Sequence, residues 1–194
     1  MTVTFDRLRA FIAEAMTKLG LPEADAITVA TLMAEADLQG ADGHGVSRLP
    51  QYARRIKAGG FNVRPNIRVV REQASTALLH GDNGMGHLVM KRAAEIAIEK
   101  ARTTGIAWVN SQYSNHAGPA SLYASMPLAH DMIGLYVAVG NANHLPPGAA
   151  STCCCRPIRS QRQFRQAPRT LLSSTWRRRS QPMARSKRRR CVAR

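Results

Sequence analysis

The feature that most constrains this chain is a break in composition near residue 150. Of its 28 lysines and arginines, 14 lie in residues 151–194, a stretch with no aspartate or glutamate. All four cysteines, Cys153, Cys154, Cys155 and Cys191, lie there too. Residues 1–150 keep 14 basic and 12 acidic residues, a net of +2, so 14 of the overall +16 belong to the tail. A segment so cationic, with few apolar side chains, cannot bury enough surface to offset its chain entropy and is expected to be disordered. The folding unit is the body. Without cysteine, the body has no disulfide framework and no thiolate metal site. Three adjacent cysteines in the tail, with no CxxC partner, make a poor zinc site.

Hydrophobic spacing in the body predicts helices first and alternating strands and helices afterwards. Thr4 suits an N-cap; Phe5, Leu8, Phe11, Ile12, Ala15 and Leu19 follow at helical spacing, and Gly20 is a stop signal. Pro22 suits the first turn of a second helix, with Ile27, Ala30, Met33 and Ala36 or Leu38 on its apolar face, ending near Gly40. A third helix is predicted from about Ser47 to Ile56. Residues 67–81 hold two β-like runs, and Asp82 to Gly86 (DNGMG) turns into a long helix over about 86–103. A strand at 106–110, a polar loop from Ser111 to Gly118, a helix over about 119–129, a strand at 132–139 and a loop from Gly140 to Gly148 complete the order. This predicts an α+β (α/β layered), non-Rossmann fold, with N-terminal helices, then mixed strands and helices, then a disordered C-terminal tail. Gly84-Met85-Gly86 is a lone GxG, and no GxGxxG opens a helix after a strand. The N-terminus has no signal-peptide pattern and no apolar run reaches the roughly 20 residues that span a bilayer. A cytoplasmic protein without a membrane partner is expected.

Two constellations could carry chemistry. In DGHGVSRLPQY, Asp42 to Tyr52, a histidine stands between Gly43 and Gly45, with Arg48 and Tyr52 at successive four-residue steps. If Ser47 caps a helix, Arg48 and Tyr52 share one face. Arginine grips a carboxylate bidentately, and histidine exchanges protons at neutral pH. That set suits a 2-oxo acid, but a solvated turn and helix would use the same residues. In SNHAG, Ser114 to Gly118, Asn115 and His116 stand between a strand and a helix, a frequent place for ligand contacts and equally for a structural capping loop. His80, His87, His130 and His144 read as structural or solvated, and no metal-ligand spacing such as HExxH occurs.

Taken together, ADLQGADGHGVSRLPQYARRI (36–56), GDNGMGHLV (81–89), NSQYSNHAGPA (110–120) and NANHLPPG (141–148) resemble the malate/L-lactate dehydrogenases, the family that includes ureidoglycolate and sulfolactate dehydrogenases. The resemblance covers essentially all of residues 1–148. It implies an oxidoreductase that moves hydride between NAD or NADP and a small 2-hydroxy or 2-oxo acid, on a non-Rossmann fold that is usually a homodimer. It implies His116 as catalytic acid/base and His44, Arg48, Tyr52 and Asn141 as substrate-binding residues, with Arg48 on the carboxylate. No metal is implied, and the cofactor-binding residues stay unknown. Many relatives carry serine just before the first histidine where this chain has Gly43, which removes a hydroxyl from the substrate's surroundings.

After the proline-rich loop the family continues with segments such as LLSTNPIA and LDMATTVAxYGKI, and this chain does not. The tail's codons, read one base out of register, permit them. Cys153-Cys154-Cys155 yields Leu-Leu, Thr175-Trp176 yields Met, and the whole permits L-L-(S/P)-T-N-P-I-A and V-D-M-A-T-T-V-A-A-Y-G-K-I-K. The expectation is a body, 1–148, that is the N-terminal part of such a dehydrogenase, and a frameshifted tail, 149–194. The chain is then truncated and inactive alone. The alternatives are a functionless pseudogene fragment, or a nucleic-acid binder using the basic tail; no physiological nucleic-acid partner is expected.

Overall fold

The computed structural model describes residues 3–139, 158–165 and 171–174. Three helices open the chain: α1 (Phe5–Lys18), α2 (Glu23–Leu38) and α3 (Leu49–Lys57), the last entered through a 3₁₀ turn, Val46–Arg48. Gly20 ends α1 at φ +100°, as its place in the sequence predicts. Ile12, Met16, Val29, Ala30 and Met33 pack with Leu49, Tyr52, Phe61 and Met85 into the main core. Seven positions of α2 are buried: Ala26, Val29, Ala30 and Met33 face the main core, and Leu32 and Ala36 pack with Ala117, Leu122 and Tyr123.

Ser47 does not cap α3. Its hydroxyl donates to the carbonyl of Asp42, and Leu49 and Pro50 start the helix with no side-chain cap. Pro50 has no N–H to satisfy in that first turn, so a cap is less needed. Arg48 therefore sits on the 3₁₀ turn, half-exposed, while Tyr52 is buried.

The first sheet has the order β1-β2-β3, with β1 (Arg68–Glu72) antiparallel and β3 (Trp108–Ser114) parallel to β2 (Thr76–Gly84). Helix α4 (Gly86–Thr104) is the crossover between the parallel strands and closes at Gly105, φ +77°. The strand expected at 106–110 runs on to Ser114, through residues read from sequence as a polar loop. Pairing decides this: His80 faces Gln112 and Gly84 faces Ser114, with a register shift between them. Asp82, Asn83 and Tyr113 take left-handed φ values of 50°, 56° and 52° at this irregularity, which ends the strands beside the loop that carries His116.

Helix α5 (Ala120–Ser125), a 3₁₀ turn (Met126–His130) and β4 (Gly134–Val139) follow. The second sheet runs β4-β5-β6, antiparallel, with β5 (Ile158–Arg165) and β6 (Leu171–Ser174). Both last strands fall in the tail expected to be disordered, and β4 accounts for them: its free edge offers backbone donors and acceptors to any extended segment. The rest of that expectation, together with the 140–148 loop, Asn141 and His144, lies outside the described residues. No described helix is long and apolar enough to cross a membrane.

Candidate active site

Three separately positioned segments bring His44, Tyr52 and His116 together. His44 sits in the turn after α2, where its N–H donates to Ala41 O at 2.7 Å. Tyr52 comes from the buried face of α3. His116 follows the end of β3, and its peptide lies against the start of α4: a Cβ on Gly86 would fall 2.2 Å from Asn115 O. The glycine there serves close approach.

His44 Nδ1 lies 3.2 Å from His116 Nε2, and the rings stack with centroids 5.1 Å apart. Tyr52 Oη lies 2.7 Å from His116 Nδ1, toward which Gly118 N–H also points at 3.4 Å. A peptide N–H can only donate, which assigns the lone pair of neutral His116 to Nδ1 and its proton to Nε2, facing His44. On that assignment Tyr52 donates to Nδ1. If His116 takes up a proton, the hydroxyl turns round and accepts. Burial raises the Tyr52 phenol well above its ordinary value, only partly opposed by Arg48 and Arg55, so it stays an O–H throughout.

Arg48 donates from Nε to Gly43 O and from Nη1 to Gln51 Oε1, both at 2.6 Å. A guanidinium has five N–H donors, so these two leave capacity for an anionic ligand. Asn115 anchors the residue before His116. Its Nδ2 donates to Asn83 O and Oδ1 at 2.9 Å and to Gly84 O at 3.0 Å, while Arg55 Nη2 donates to its Oδ1 at 3.3 Å. Sequence reading offered ligand contact for Asn115; its amide is instead used within the protein.

The other histidines sit apart from this chain of contacts or beneath it. His80 Nδ1 accepts from Asp82 N–H and its ring meets Tyr113. His130 Nδ1 pairs with Arg102 on the surface. His87 is fully buried, edge-on to Tyr52 with centroids 5.8 Å apart, and burial first, then His116 and His44, push it down to about 3. Two neighbours escaped the sequence reading: His87 as the floor of the site, and Asp37, whose Oδ2 accepts Val46 N–H at 2.7 Å. An acid in the last turn of α2, against the helix dipole, was the available signal for Asp37. No group of three metal-ligating side chains occurs among the described residues.

The lone GxG does not cradle a nucleotide phosphate. A Cβ on Gly84 would meet Pro65 at 2.7 Å, and Gly86 abuts the Asn115–His116 backbone, so protein already fills the space beside both glycines.

Comparison with known proteins agrees with this architecture. A family model described as malate/L-lactate dehydrogenase matches residues 3–155. Malate dehydrogenase from Pyrococcus horikoshii is 48% identical over 130 residues, covering 67% of this chain and 36% of the relative. Ureidoglycolate dehydrogenase (NAD(+)) from Escherichia coli O157:H7 is 31% identical over 150 residues, covering 77% of this chain and 43% of the relative. The chain thus spans well under half the length of these curated relatives. Among solved structures, malate dehydrogenase from Pyrococcus horikoshii OT3 superposes with a TM-score of 0.83 and 39% identity, over 90% of this chain and 50% of that one. With a family model matching most of its length and a fold to go with it, this chain belongs to the malate/L-lactate dehydrogenase family.

Proposed function

We propose that the body carries the substrate side of an NAD- or NADP-dependent oxidoreductase of small 2-hydroxy and 2-oxo acids. The observation that carries this reading is the relay of Tyr52, His116 and His44, with contacts of 2.7 and 3.2 Å. His116 is the acid/base: it takes the substrate hydroxyl proton on oxidation and returns it to the carbonyl oxygen on reduction. Tyr52 follows the charge of His116 by reversing its hydrogen bond. His44 holds the reacting oxygen beside His116, and Arg48 holds the carboxylate with the N–H groups left to it. Asn141, outside the described residues, is proposed to flank substrate and nicotinamide. The nicotinamide, when bound, exchanges a hydride with the carbon that bears the oxygen. The word NAD(+) in one relative's name supports the cofactor class.

We further propose that residues 1–148 are the native body and that 149–194 translate the gene's next segment out of frame. Identity to the Pyrococcus protein falls from 48% over two thirds of the chain to 39% over the 90% that superposes, so the tail adds little matching sequence. Leu135, Val137 and Val139 along β4 are exposed, a row that suits a face covered in a longer protein. The intact protein is read as a cytoplasmic homodimer.

The test is to express the chain both as it stands and with one base restored near the codons for Pro147 and Gly148, and to follow NAD(H) and NADP(H) absorbance with malate, lactate and their oxo acids. Cofactor-dependent turnover is expected from the reframed protein and a loss of about 10²–10⁴-fold in its His116→Ala variant. Full activity in His116→Ala would overturn the assignment of His116. Equal activity of the 194-residue chain would overturn the frame reading.

A further inference from the structure

We propose that Asp37 is a positioning residue whose carboxylate presents His44 to His116. It sits next to last in α2, whose final turn contains no basic residue. A helix C-terminus is electronegative, so a carboxylate there is unfavourable unless something else engages it. Two contacts do. Oδ2 accepts Val46 N–H at 2.7 Å. Gly45 lies so close that a Cβ on it would stand 1.8 Å from Oδ1 and 2.1 Å from Cγ. That overlap with the Asp37 carboxylate leaves no room for a side chain at Gly45.

These contacts grip the two residues that follow His44. The residues before it hang from the same helix end, Ala41 N–H donating to Ala36 O at 2.8 Å. His44 thus takes its position from α2, whereas His116 takes its position from β3 and α4. The 3.2 Å ring contact exists only while both frames hold, and a shift of a few tenths of an ångström in the turn removes it. Nothing in the fold of α2 needs an acid at this position, and the carboxylate acts on the site through the backbone of Gly45 and Val46.

The proposal rests on the reading of His44 and His116 as a working pair, and its test does not use turnover. In the full 194-residue chain, long-range ¹H–¹⁵N spectra follow both imidazoles through a pH titration. Interacting rings titrate in two steps that each nitrogen reports. The wild type is expected to show both steps on His116. Asp37→Ala and Gly45→Ala, which break the same contact from opposite sides, are each expected to leave a single step. The double variant is expected to go no further than either single one. Asp37→Asn keeps an oxygen for Val46 N–H and is expected to retain the two steps. A purely structural Asp37 would lower the melting temperature and leave both steps in place. That result, or loss of coupling in Asp37→Asn too, would overturn the proposal. Inactivity of the reframed enzyme with coupling intact would count against the function reading alone.

Discussion

The floor and the wall of the site treat the same side chain in opposite ways, and Tyr52 touches both. On the floor, His87 is fully buried and neither ring nitrogen has a hydrogen-bond partner among the described residues. On the wall, His116 is half-buried, with Tyr52, Gly118 and His44 at its nitrogens. Desolvation without a partner holds His87 neutral, down to about 3, so it has no proton to exchange at neutral pH. His116 is partly exposed and meets polar groups at both ring nitrogens. The contrast teaches that chemistry at this site is assigned by solvation and partners, since residue type is common to both. An unpartnered buried imidazole costs about 1–3 kcal/mol; that cost sits directly beneath the residue that orients His116.

The largest expected effect tests the floor. Folded His87 takes up its proton only near 3, against 6.5 for an ordinary histidine. Between those values the unfolded chain binds more protons. Stability is therefore full above about pH 6.5 and falls as pH drops toward 3, by up to about 5 kcal/mol from this ring. Urea midpoints from pH 8 to 4 measure the slope, and His87→Phe is expected to flatten it. If the slope persists in His87→Phe, the acid sensitivity lies elsewhere and the comparison breaks.

Asn115→Ala acts on the wall alone. It removes the Nδ2 hydrogen bonds shared among Asn83 and Gly84 and the Arg55 contact, at a cost of about 2 kcal/mol in denaturant unfolding, and should leave the acid slope unchanged. Tyr52→Phe separates the two regions more finely. It keeps the ring against His87 and deletes the hydroxyl on His116, for about 1 kcal/mol of stability and a changed ¹⁵N shift at His116 but not at His87. Gly118→Ala is the mildest. The position has φ +78°, and a Cβ would come 3.2 Å from His87 Nε2, so a loss near 1 kcal/mol is expected, read as a small drop in melting temperature.

Much of this was legible in the sequence where periodicity is strong and local. Phe5 to Leu19, the stretch before Gly40 and the 86–103 segment each hold a full helical pattern with glycine at or near the stop, and α1, α2 and α4 lie there. The two histidine segments were legible as chemistry, yet neither showed what its neighbours would be. Ser111 to Ser114 looks like loop because its side chains are polar; β2 makes it strand through backbone pairing that side chains do not announce. Ser47 looks like a cap, but the turn pulls its hydroxyl back to Asp42 O.

The sequence by itself determined where the helices of the body run, that the excess charge lies beyond residue 150, and which residue types could handle a 2-oxo acid. Those properties depend on near neighbours and on composition, which a linear reading contains. The tertiary structure alone decided that His44 meets His116 across 72 positions of chain and that Tyr52 joins them from 64 positions away. It also decided that His87, and not His116, is the dry ring. Desolvation and ring-to-ring distance are set by what packs around a residue, and that is settled only when the helices and the sheet close on one another.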